Sequence, residues 1–133
     1  MSALPVLTAY FEAFNDGRTD DMLALLTEDV EHHTNQGPVR HGKAAFAEFS
    51  AHMSRCYRER LTDLVLFSND TGTRGAAEFT VNGTYLETDE GLPPARGQGY
   101  VLPAGSFFAL REGRICRVTT CYNLTDWIAQ VSA

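Results

Sequence analysis

Two adjacent histidines, His32 and His33, are the residues of this sequence whose types first suggest chemistry. Asp29, Glu31 and Asn35 lie close to the pair along the chain. Imidazole and carboxylate groups bind metal ions, and they also transfer protons near neutral pH. The segment is therefore a metal site, an acid–base site or the polar end of an ordinary strand, and the direction of each side chain decides between these readings.

A strand in this segment would separate the two histidines. Neighbouring strand residues point to opposite faces, so both imidazoles cannot enter one cavity or bind one metal ion. Val30 is the apolar member and should face the core, which predicts that His32 and Thr34 face inward and His33 faces outward. No HExxH motif occurs. We therefore predict no metal site, and His32 is either a general base or a cavity-lining histidine hydrogen-bonded to a neighbour.

Four further residues have side chains that could act on a substrate. Tyr10 lies on the apolar face of a predicted helix and is either a structural aromatic or a hydrogen-bond donor inside the protein. Gln98 and Tyr100 alternate with Leu102 on one face of a predicted strand, which suits an orienting site or, equally, an outer dimer-forming face. Asn123 is either a pocket amide or the cap of a C-terminal helix.

The elements that must position these residues fall into two halves. Apolar residues at helical spacing predict a helix that ends at Asn15-Asp16-Gly17, a second that follows Thr19, and a third that starts near Gly42. The second half predicts long strands at 60–67, 75–87, 98–110 and 114–122. Helices followed by antiparallel strands indicate an α+β fold.

The predicted sheet must curve strongly to cover the three N-terminal helices. Such a sheet wraps the helices into a cone, and we expect bulges at Gly83 and Gly105 to supply the bend. The cone leaves a cavity between the concave face of the sheet and the helices, where a small ligand would bind.

Composition restricts the class of protein. A chain of 133 residues fits one domain, which we expect to span 1–133. The formal net charge is −6 and the basic residues are scattered, so neither nucleic acid nor an anionic membrane is an expected partner. The apolar runs are far shorter than the ~20 residues that span a bilayer. The N-terminal segment lacks the basic start of a signal peptide, which favours a cytoplasmic location.

The remaining histidines and the cysteines suggest no separate site. The three cysteines, Cys56, Cys116 and Cys121, are odd in number and form no CxxC motif, which argues against a disulfide framework or a zinc knuckle. We expect them to be buried, unreactive thiols. His41 and His52 are expected to be solvated helix residues.

Four stretches of the chain resemble a known superfamily. They are YFEAFNDGRTDDMLALLTEDV, HGKAAFAEF, FFALREGRICRV and CYN, which together run from about residue 9 to residue 123. They are similar to the cone-shaped superfamily named after nuclear transport factor 2 (NTF2), and within it to the ketosteroid isomerase-related and SnoaL-like proteins. The resemblance implies a cavity that opens at one end of the cone, no metal, and commonly a homodimer formed through the outer face of the sheet.

The resemblance also suggests catalytic positions. Steroid isomerases of this superfamily use a tyrosine and a protonated aspartic acid as oxyanion hole, with a second aspartate that moves the proton. Tyr10 matches the tyrosine, whereas the base falls at about Thr34 and the other aspartate at about Ser106. Two of the three groups are absent, so an authentic steroid isomerase with that mechanism is not expected.

Together these patterns predict a cofactor-free enzyme of the ketosteroid isomerase-related group. It would transfer protons during isomerisation, cyclisation or dehydration of a small, mostly apolar carbonyl compound. His32 would be the base and Tyr10 the oxyanion donor, and the substrate would be bound by Thr34, Gln98, Tyr100 and Asn123. One alternative is a binding protein for an apolar metabolite that performs no catalysis. Another is a dimeric interaction module with a vestigial pocket.

Overall fold

The structure is a computed structural model that describes residues 1–133. Its helices are α1 (Leu4–Asn15), α2 (Thr19–Leu23), α3 (Lys43–Cys56) and α4 (Leu124–Ser132). Its strands are β1 (Leu26–His33), β2 (Arg40–His41), β3 (Tyr57–Ser68), β4 (Arg74–Tyr85), β5 (Gly99–Arg111) and β6 (Arg114–Tyr122). The α+β fold with three N-terminal helices is confirmed. No helix is both long and apolar enough to cross a membrane.

The six strands form one curved, unclosed sheet in the order β2-β1-β6-β5-β4-β3. Only β1 and β6 run parallel, and the other neighbouring pairs are antiparallel. The parallel pair brings β1, which follows the first two helices, beside the last strand of the chain. The predicted mostly antiparallel sheet is therefore also confirmed.

Side chains alternate between two faces of this sheet. Along β5, Tyr100, Leu102 and Phe108 are buried on the face that packs against the helices, which we call the concave face. Phe11 of α1 lies 5.5 Å from Phe79 and 5.8 Å from Phe108 between ring centroids, so the first helix fills part of that face. The opposite, convex face carries exposed apolar side chains.

The bend of the sheet does not come from the predicted bulges. Gly83 and Gly105 both keep the regular register with the strands on either side, so the prediction of bulges there is wrong. One register shift lies in β3, between Thr62 and Val65, where Asp63 adopts a φ of 55°. The extra residue is accommodated by a left-handed backbone at an aspartate, a residue type that tolerates it better than most.

Helix α3 runs into strand β3 without a connecting loop, because Cys56 ends the helix and Tyr57 begins the strand. The strand therefore starts three residues earlier than the predicted 60–67. The β4–β5 loop, residues 86–98, folds back towards this junction. Its path is fixed by the Tyr85 hydroxyl, which donates to the carbonyl of Pro93 at 2.7 Å and accepts from the backbone N–H of Asp89 at 2.9 Å.

Candidate active site

A row of three residues crosses the concave face on strands β3, β4 and β5. Glu59 is the register partner of Gly83, and Gly83 is the register partner of Tyr100. The Tyr100 hydroxyl donates a hydrogen bond to Oε2 of Glu59 at 2.5 Å. A Cβ atom at position 83 would overlap the Tyr100 ring and hydroxyl. The glycine of the middle strand thus lets the phenol lie across β4 and reach a carboxylate two strands away.

Burial tunes the proton affinity of this pair. Removal from water raises the pKa of Glu59, and the hydrogen bond from Tyr100 lowers it in part. The pKa of Tyr100 is raised by burial and then by the charge of Glu59, so its hydroxyl remains a donor. A carboxyl group whose pKa is raised from its ordinary acidic value is suited to accept and return protons nearer neutral pH.

Aromatic side chains surround the pair, and the C-terminal helix supplies one of them. The Trp127 ring lies 4.9 Å from Tyr85, 5.9 Å from Tyr57 and 6.0 Å from Tyr100 between centroids. Helix α4 is held in place at its start, where the Asn123 side chain accepts a hydrogen bond from the backbone N–H of Asp126. The indole therefore adds an apolar wall beside the carboxyl–phenol pair.

Tyr122 provides a second phenol on the concave face. It is half-buried at the end of β6 and packs against the core. Its hydroxyl forms no hydrogen bond with another residue, unlike that of Tyr100. Burial raises the pKa of Tyr122, and the charges of Glu59 and Asp89 raise it further. Tyr122 is thus a protonated donor within electrostatic reach of both carboxylates.

A second polar group of residues, which we call the Asp89 cluster, joins α3, β3 and the β4–β5 loop. His52 Nε2 lies 2.9 Å from Oδ1 of Asp89, and the Tyr57 hydroxyl donates to Oδ2 at 2.7 Å. The sulfur of Cys56 lies 4.0 Å from His52 Nε2. Burial, followed by the hydrogen bond to Asp89, raises the pKa of Tyr57. The cluster ties the β4–β5 loop to the helix–strand junction next to Glu59.

His32 faces the interior, on the side that strand alternation predicts. It is 5% exposed, its ring lies 4.5 Å from that of Phe46 and 4.8 Å from that of Phe49, and its Nδ1 atom has no hydrogen-bond partner. Burial, with a smaller contribution from Arg40, lowers the pKa of His32 to about 4. The imidazole is therefore neutral at physiological pH. His33 faces outward, with Nε2 3.2 Å from a Glu31 carboxylate oxygen.

Tyr10 and Thr34 lie away from the Glu59–Tyr100 pair. Tyr10 is buried, with its ring centroid 5.2 Å from that of Phe11 and 5.5 Å from that of Phe108. Its hydroxyl has no protein hydrogen-bond partner, and burial raises its pKa. Thr34 follows the last residue of β1 and is half-buried. Their predicted roles towards a substrate stay predictions.

The side-chain amides of Gln98 and Asn123 form hydrogen bonds within the protein. Gln98 Nε2 donates to the carbonyls of Pro94 and Val131, each at 2.9 Å, so Gln98 joins the β4–β5 loop to α4. Asn123 caps α4 and also lines an open groove of about 780 Å³. The groove is also lined by Glu78 and Cys121, which face outward, and by Tyr122, so it lies at the edge of the sheet where β6 ends, and Glu59 is not part of its lining.

Of the six site residues predicted from the sequence, only Tyr100 belongs to the Glu59–Tyr100 pair or to the Asp89 cluster. Glu59, Tyr122, His52 and Asp89 were not among them. Glu59 lies just before the strand that the sequence predicts at 60–67, so the alternation of that strand assigns it no face. With the strand begun at Tyr57, the alternation of Tyr57, Glu59 and Leu61 would have placed a carboxyl group on the buried face.

Comparisons with known proteins agree with this architecture. Residues 7–118 match the family model described as a SnoaL-like domain. The crystal structure of a candidate polyketide cyclase from Silicibacter sp. TM1040 is 64% identical, with a TM-score of 0.97 over 99% of this chain and 96% of that one. Another candidate polyketide cyclase, from Pseudomonas putida KT2440, is 57% identical, with a TM-score of 0.96 over 98% of each chain.

A more distant structure shares the fold alone. It is TerC co-crystallised with polyporic acid, which is 16% identical and has a TM-score of 0.70 over 98% of each chain. A search of curated proteins gave no match. The family match covers most of the sequence, and the two similar crystal structures superpose over nearly the whole chain. The chain therefore belongs to the SnoaL-like family of the NTF2-like superfamily.

Proposed function

We propose that this protein is an enzyme that transfers a proton on a small, mostly apolar carbonyl compound without a cofactor, and that Glu59 is its acid–base group. The observation that carries the proposal is the buried, hydrogen-bonded Glu59–Tyr100 pair on the concave face. This assignment replaces His32, whose pKa of about 4 makes it a weak base. The second carboxylate oxygen of Glu59 has no hydrogen-bond partner in the protein and is free to take a proton.

The proposed reaction begins with a C–H bond next to the carbonyl group of the substrate. Glu59 takes that proton, the C–H electrons form a carbon–carbon double bond, and the carbonyl oxygen becomes an enolate oxygen. Tyr122 donates a hydrogen bond to that oxygen, because its hydroxyl is protonated and not engaged by another residue. Tyr100 keeps Glu59 oriented throughout.

The fate of the enolate determines the product. Return of the proton from Glu59 to a different carbon gives an isomer. Attack of the enolate carbon on a second carbonyl closes a ring, and the resulting alkoxide takes the proton. Loss of a β-hydroxyl group, protonated by Glu59 as it leaves as water, gives dehydration. In each of these three reactions Glu59 first accepts a proton and then returns it, so the enzyme ends in its starting protonation state.

The surroundings of the pair favour an aromatic or polycyclic substrate. Tyr57 and Tyr122 are half-buried, so their rings are the ones that an aromatic group could contact, whereas Trp127, Tyr85 and Tyr100 are at most 3% exposed and fill the core behind them. The similar crystal structures named as candidate polyketide cyclases point to the same class of compound. TerC, which shares the fold, was crystallised with the small organic molecule polyporic acid.

Proton exchange tests the proposal without knowledge of the product. Enolisable cyclic ketones and polyketide-like aromatic ketones are incubated with the protein in D₂O, and loss of the α-proton signal is followed by NMR. Glu59→Gln should slow enzyme-dependent exchange about 10²–10⁴-fold, the usual share of a general base. Glu78→Gln is the matched control, because Glu78 is an exposed carboxylate on the convex face of the next strand.

Three outcomes separate the alternatives. Equal exchange rates for wild type and Glu59→Gln would contradict the proposal. A large loss in His32→Ala, with Glu59→Gln unaffected, would restore the base predicted from the sequence. Binding of the same ketones with no catalysed exchange would identify a non-catalytic binding protein, the alternative predicted from the sequence.

We also propose that the protein is a homodimer that uses its convex face. Phe67 and Phe107 are each 53% exposed there, and Val65 and Val101 are 45% and 56% exposed. Four large apolar side chains on one face of a sheet are typical of a surface that another molecule covers. Light scattering at micromolar concentration should give twice the mass of the chain, and Phe107→Ser should shift the mass towards the monomer. A wild-type monomer at that concentration would contradict this proposal.

A further inference from the structure

We propose that His52, Cys56 and Asp89 form a binding site for a divalent transition metal ion of the Zn²⁺ type. The site lies where α3, β3 and the β4–β5 loop meet. One potential ligand atom from each residue lies within 4.8 Å of the other two. The inference does not depend on the proposed reaction, because none of the three residues is assigned a part in it.

The spacing of the three ligand atoms is close to what zinc requires. His52 and Cys56 are four residues apart on α3, so their side chains lie on the same helix face. Tetrahedral zinc, with bonds of about 2.0–2.1 Å to nitrogen or oxygen and about 2.3 Å to sulfur, sets N···O near 3.3 Å and N···S near 3.6 Å. The observed distances are 2.9 Å and 4.0 Å. The third pair, the Cys56 sulfur and an Asp89 carboxylate oxygen, lies within 4.8 Å, against about 3.6 Å at tetrahedral zinc, so side-chain movements of about 0.4–1.2 Å bring all three atoms to one ion.

Hydrogen bonds with neighbouring groups fix the position of Asp89, as they do for many metal-binding carboxylates. The Tyr57 hydroxyl donates to Oδ2 and leaves Oδ1 to face His52. The backbone N–H of Asp89 donates to the Tyr85 hydroxyl, which fixes this part of the loop. Outer hydrogen bonds of this kind orient metal-binding carboxylates. An ordinary surface ion pair, such as that of His33 with Glu31, lacks both features.

Metal binding at this site requires two changes of proton position. The thiol of Cys56 must lose its proton to become a thiolate ligand, so binding releases about one proton per ion. The His52 Nε2 atom must bind the metal while Nδ1 carries the ring proton. Arg55 Nη2 lies 3.3 Å from that Nδ1 atom and must turn away, which its exposed position allows.

The types of ligand favour zinc over the abundant hard cations. One thiolate, one imidazole and one carboxylate form a mixed set that suits Zn²⁺, whereas Mg²⁺ and Ca²⁺ prefer oxygen ligands throughout. Three protein ligands leave the fourth position for water. The paired histidines, His32 and His33, predict no metal site. The three ligands proposed here are separated by up to 37 residues along the chain and meet only in the fold.

Spectroscopy with Co²⁺ tests the site directly. Untagged protein is treated with a chelator, dialysed and titrated with Co²⁺, and Zn²⁺ affinity is then measured by competition. We expect one ion per chain and a thiolate-to-cobalt charge-transfer absorption. Cys56→Ser should abolish that absorption and weaken Zn²⁺ binding by at least about 10–100-fold, and His52→Gln should weaken it similarly. Cys121→Ser and His33→Ala are the matched controls and should bind as wild type does.

Equal Zn²⁺ affinity for wild type, Cys56→Ser and His52→Gln would overturn the proposal, as would the absence of the cobalt–thiolate absorption. Circular dichroism of the metal-free variants shows whether each one folds. Because the His52 side chain is 38% exposed, its substitution leaves an interpretable variant even if serine at the buried position 56 does not fold. Ketone-dependent proton exchange is measured separately, so failure of the metal site leaves the test of Glu59 intact.

Discussion

The two ends of the concave face each hold a buried titratable group, and burial affects the two in opposite ways. At the end formed by β3–β5, Glu59 is half-buried, accepts a hydrogen bond from Tyr100, and has a raised pKa. At the end formed by β1, His32 is almost fully buried, has no partner at Nδ1, and has its pKa lowered to about 4. Desolvation favours the neutral form of each group. Desolvation therefore moves the pKa of the Glu59 carboxyl group towards neutral pH and the pKa of the His32 imidazole away from it.

This contrast shows that the residue type alone does not identify a base. A histidine is the usual candidate because its ordinary pKa lies near neutrality. That advantage is lost when the ring is enclosed by Phe46 and Phe49, since no partner stabilises the charged form. For Glu59, burial acts in the opposite direction and raises the pKa of the carboxyl group, while the hydrogen bond from Tyr100 offsets part of that rise and fixes the orientation of the group.

Acid should therefore destabilise the protein through the His32 end. The folded-state pKa of about 4 lies below the ordinary value of 6.5, so the stabilisation is fully present above pH 6.5 and is lost as the pH falls towards 4. The loss should reach up to about 3 kcal/mol. His32→Phe should remove this dependence when urea unfolding is compared at pH 7 and pH 4.5. The exposed His41→Gln serves as control, and an unchanged acid sensitivity in His32→Phe would contradict the prediction.

At the other end, the position of Tyr100 depends on the missing side chain at Gly83. Gly83→Ala places a methyl group in the space of the Tyr100 ring, which should lower the free energy of unfolding by about 1–3 kcal/mol. Gly99→Ala is the matched control, because a Cβ there meets only ordinary contacts. In a Tyr100→Ala background the cost of Gly83→Ala should shrink, as a double-mutant cycle would show. An equal cost in both backgrounds would rule out the proposed overlap.

The smallest expected effect is a gain in stability when the Glu59 end loses its charge. The folded-state pKa of Glu59 is raised. Below the unfolded-state pKa the carboxyl group is neutral in both states and costs no stability, and stability is lost as the pH rises through the folded-state pKa and the buried group ionises. Glu59→Gln should thus raise the free energy of unfolding at pH 8 by about 0.5–2 kcal/mol, with little change at pH 4. A variant less stable than wild type at pH 8 would show that the Tyr100 bond outweighs the burial.

The elements and their faces were readable from local patterns in the sequence. The helices follow from apolar spacing, and the inward direction of His32 follows from its parity with Val30. Both are properties of a few consecutive residues. The same kind of reasoning gave the α+β fold, since the order of helices and strands restricts the ways in which they can pack.

The Glu59 end was not readable, because it depends on register between strands that are far apart in sequence. Glu59 and Tyr100 are separated by 41 residues and become neighbours only when β3, β4 and β5 pair in one register. Asp89 lies in the β4–β5 loop, where no helical or strand periodicity predicts the direction of a side chain, so its contact with His52 could not be predicted. Gly83 was read as a bulge, because a glycine in a strand indicates either a bulge or a close approach of another group. Local sequence does not distinguish the two.

The contact between Gly83 and Tyr100 has a consequence for the evolution of this protein. A side chain at position 83 is acceptable only if the ring at position 100 is lost or moves, so the two positions cannot vary independently. We expect homologous sequences to show correlated substitution, with glycine at the position of Gly83 wherever an aromatic residue stands at the position of Tyr100. In homologues where another residue replaces the tyrosine, we expect residues other than glycine at the position of Gly83. We also expect the position of Glu59 to vary there, because its hydrogen-bond partner is lost.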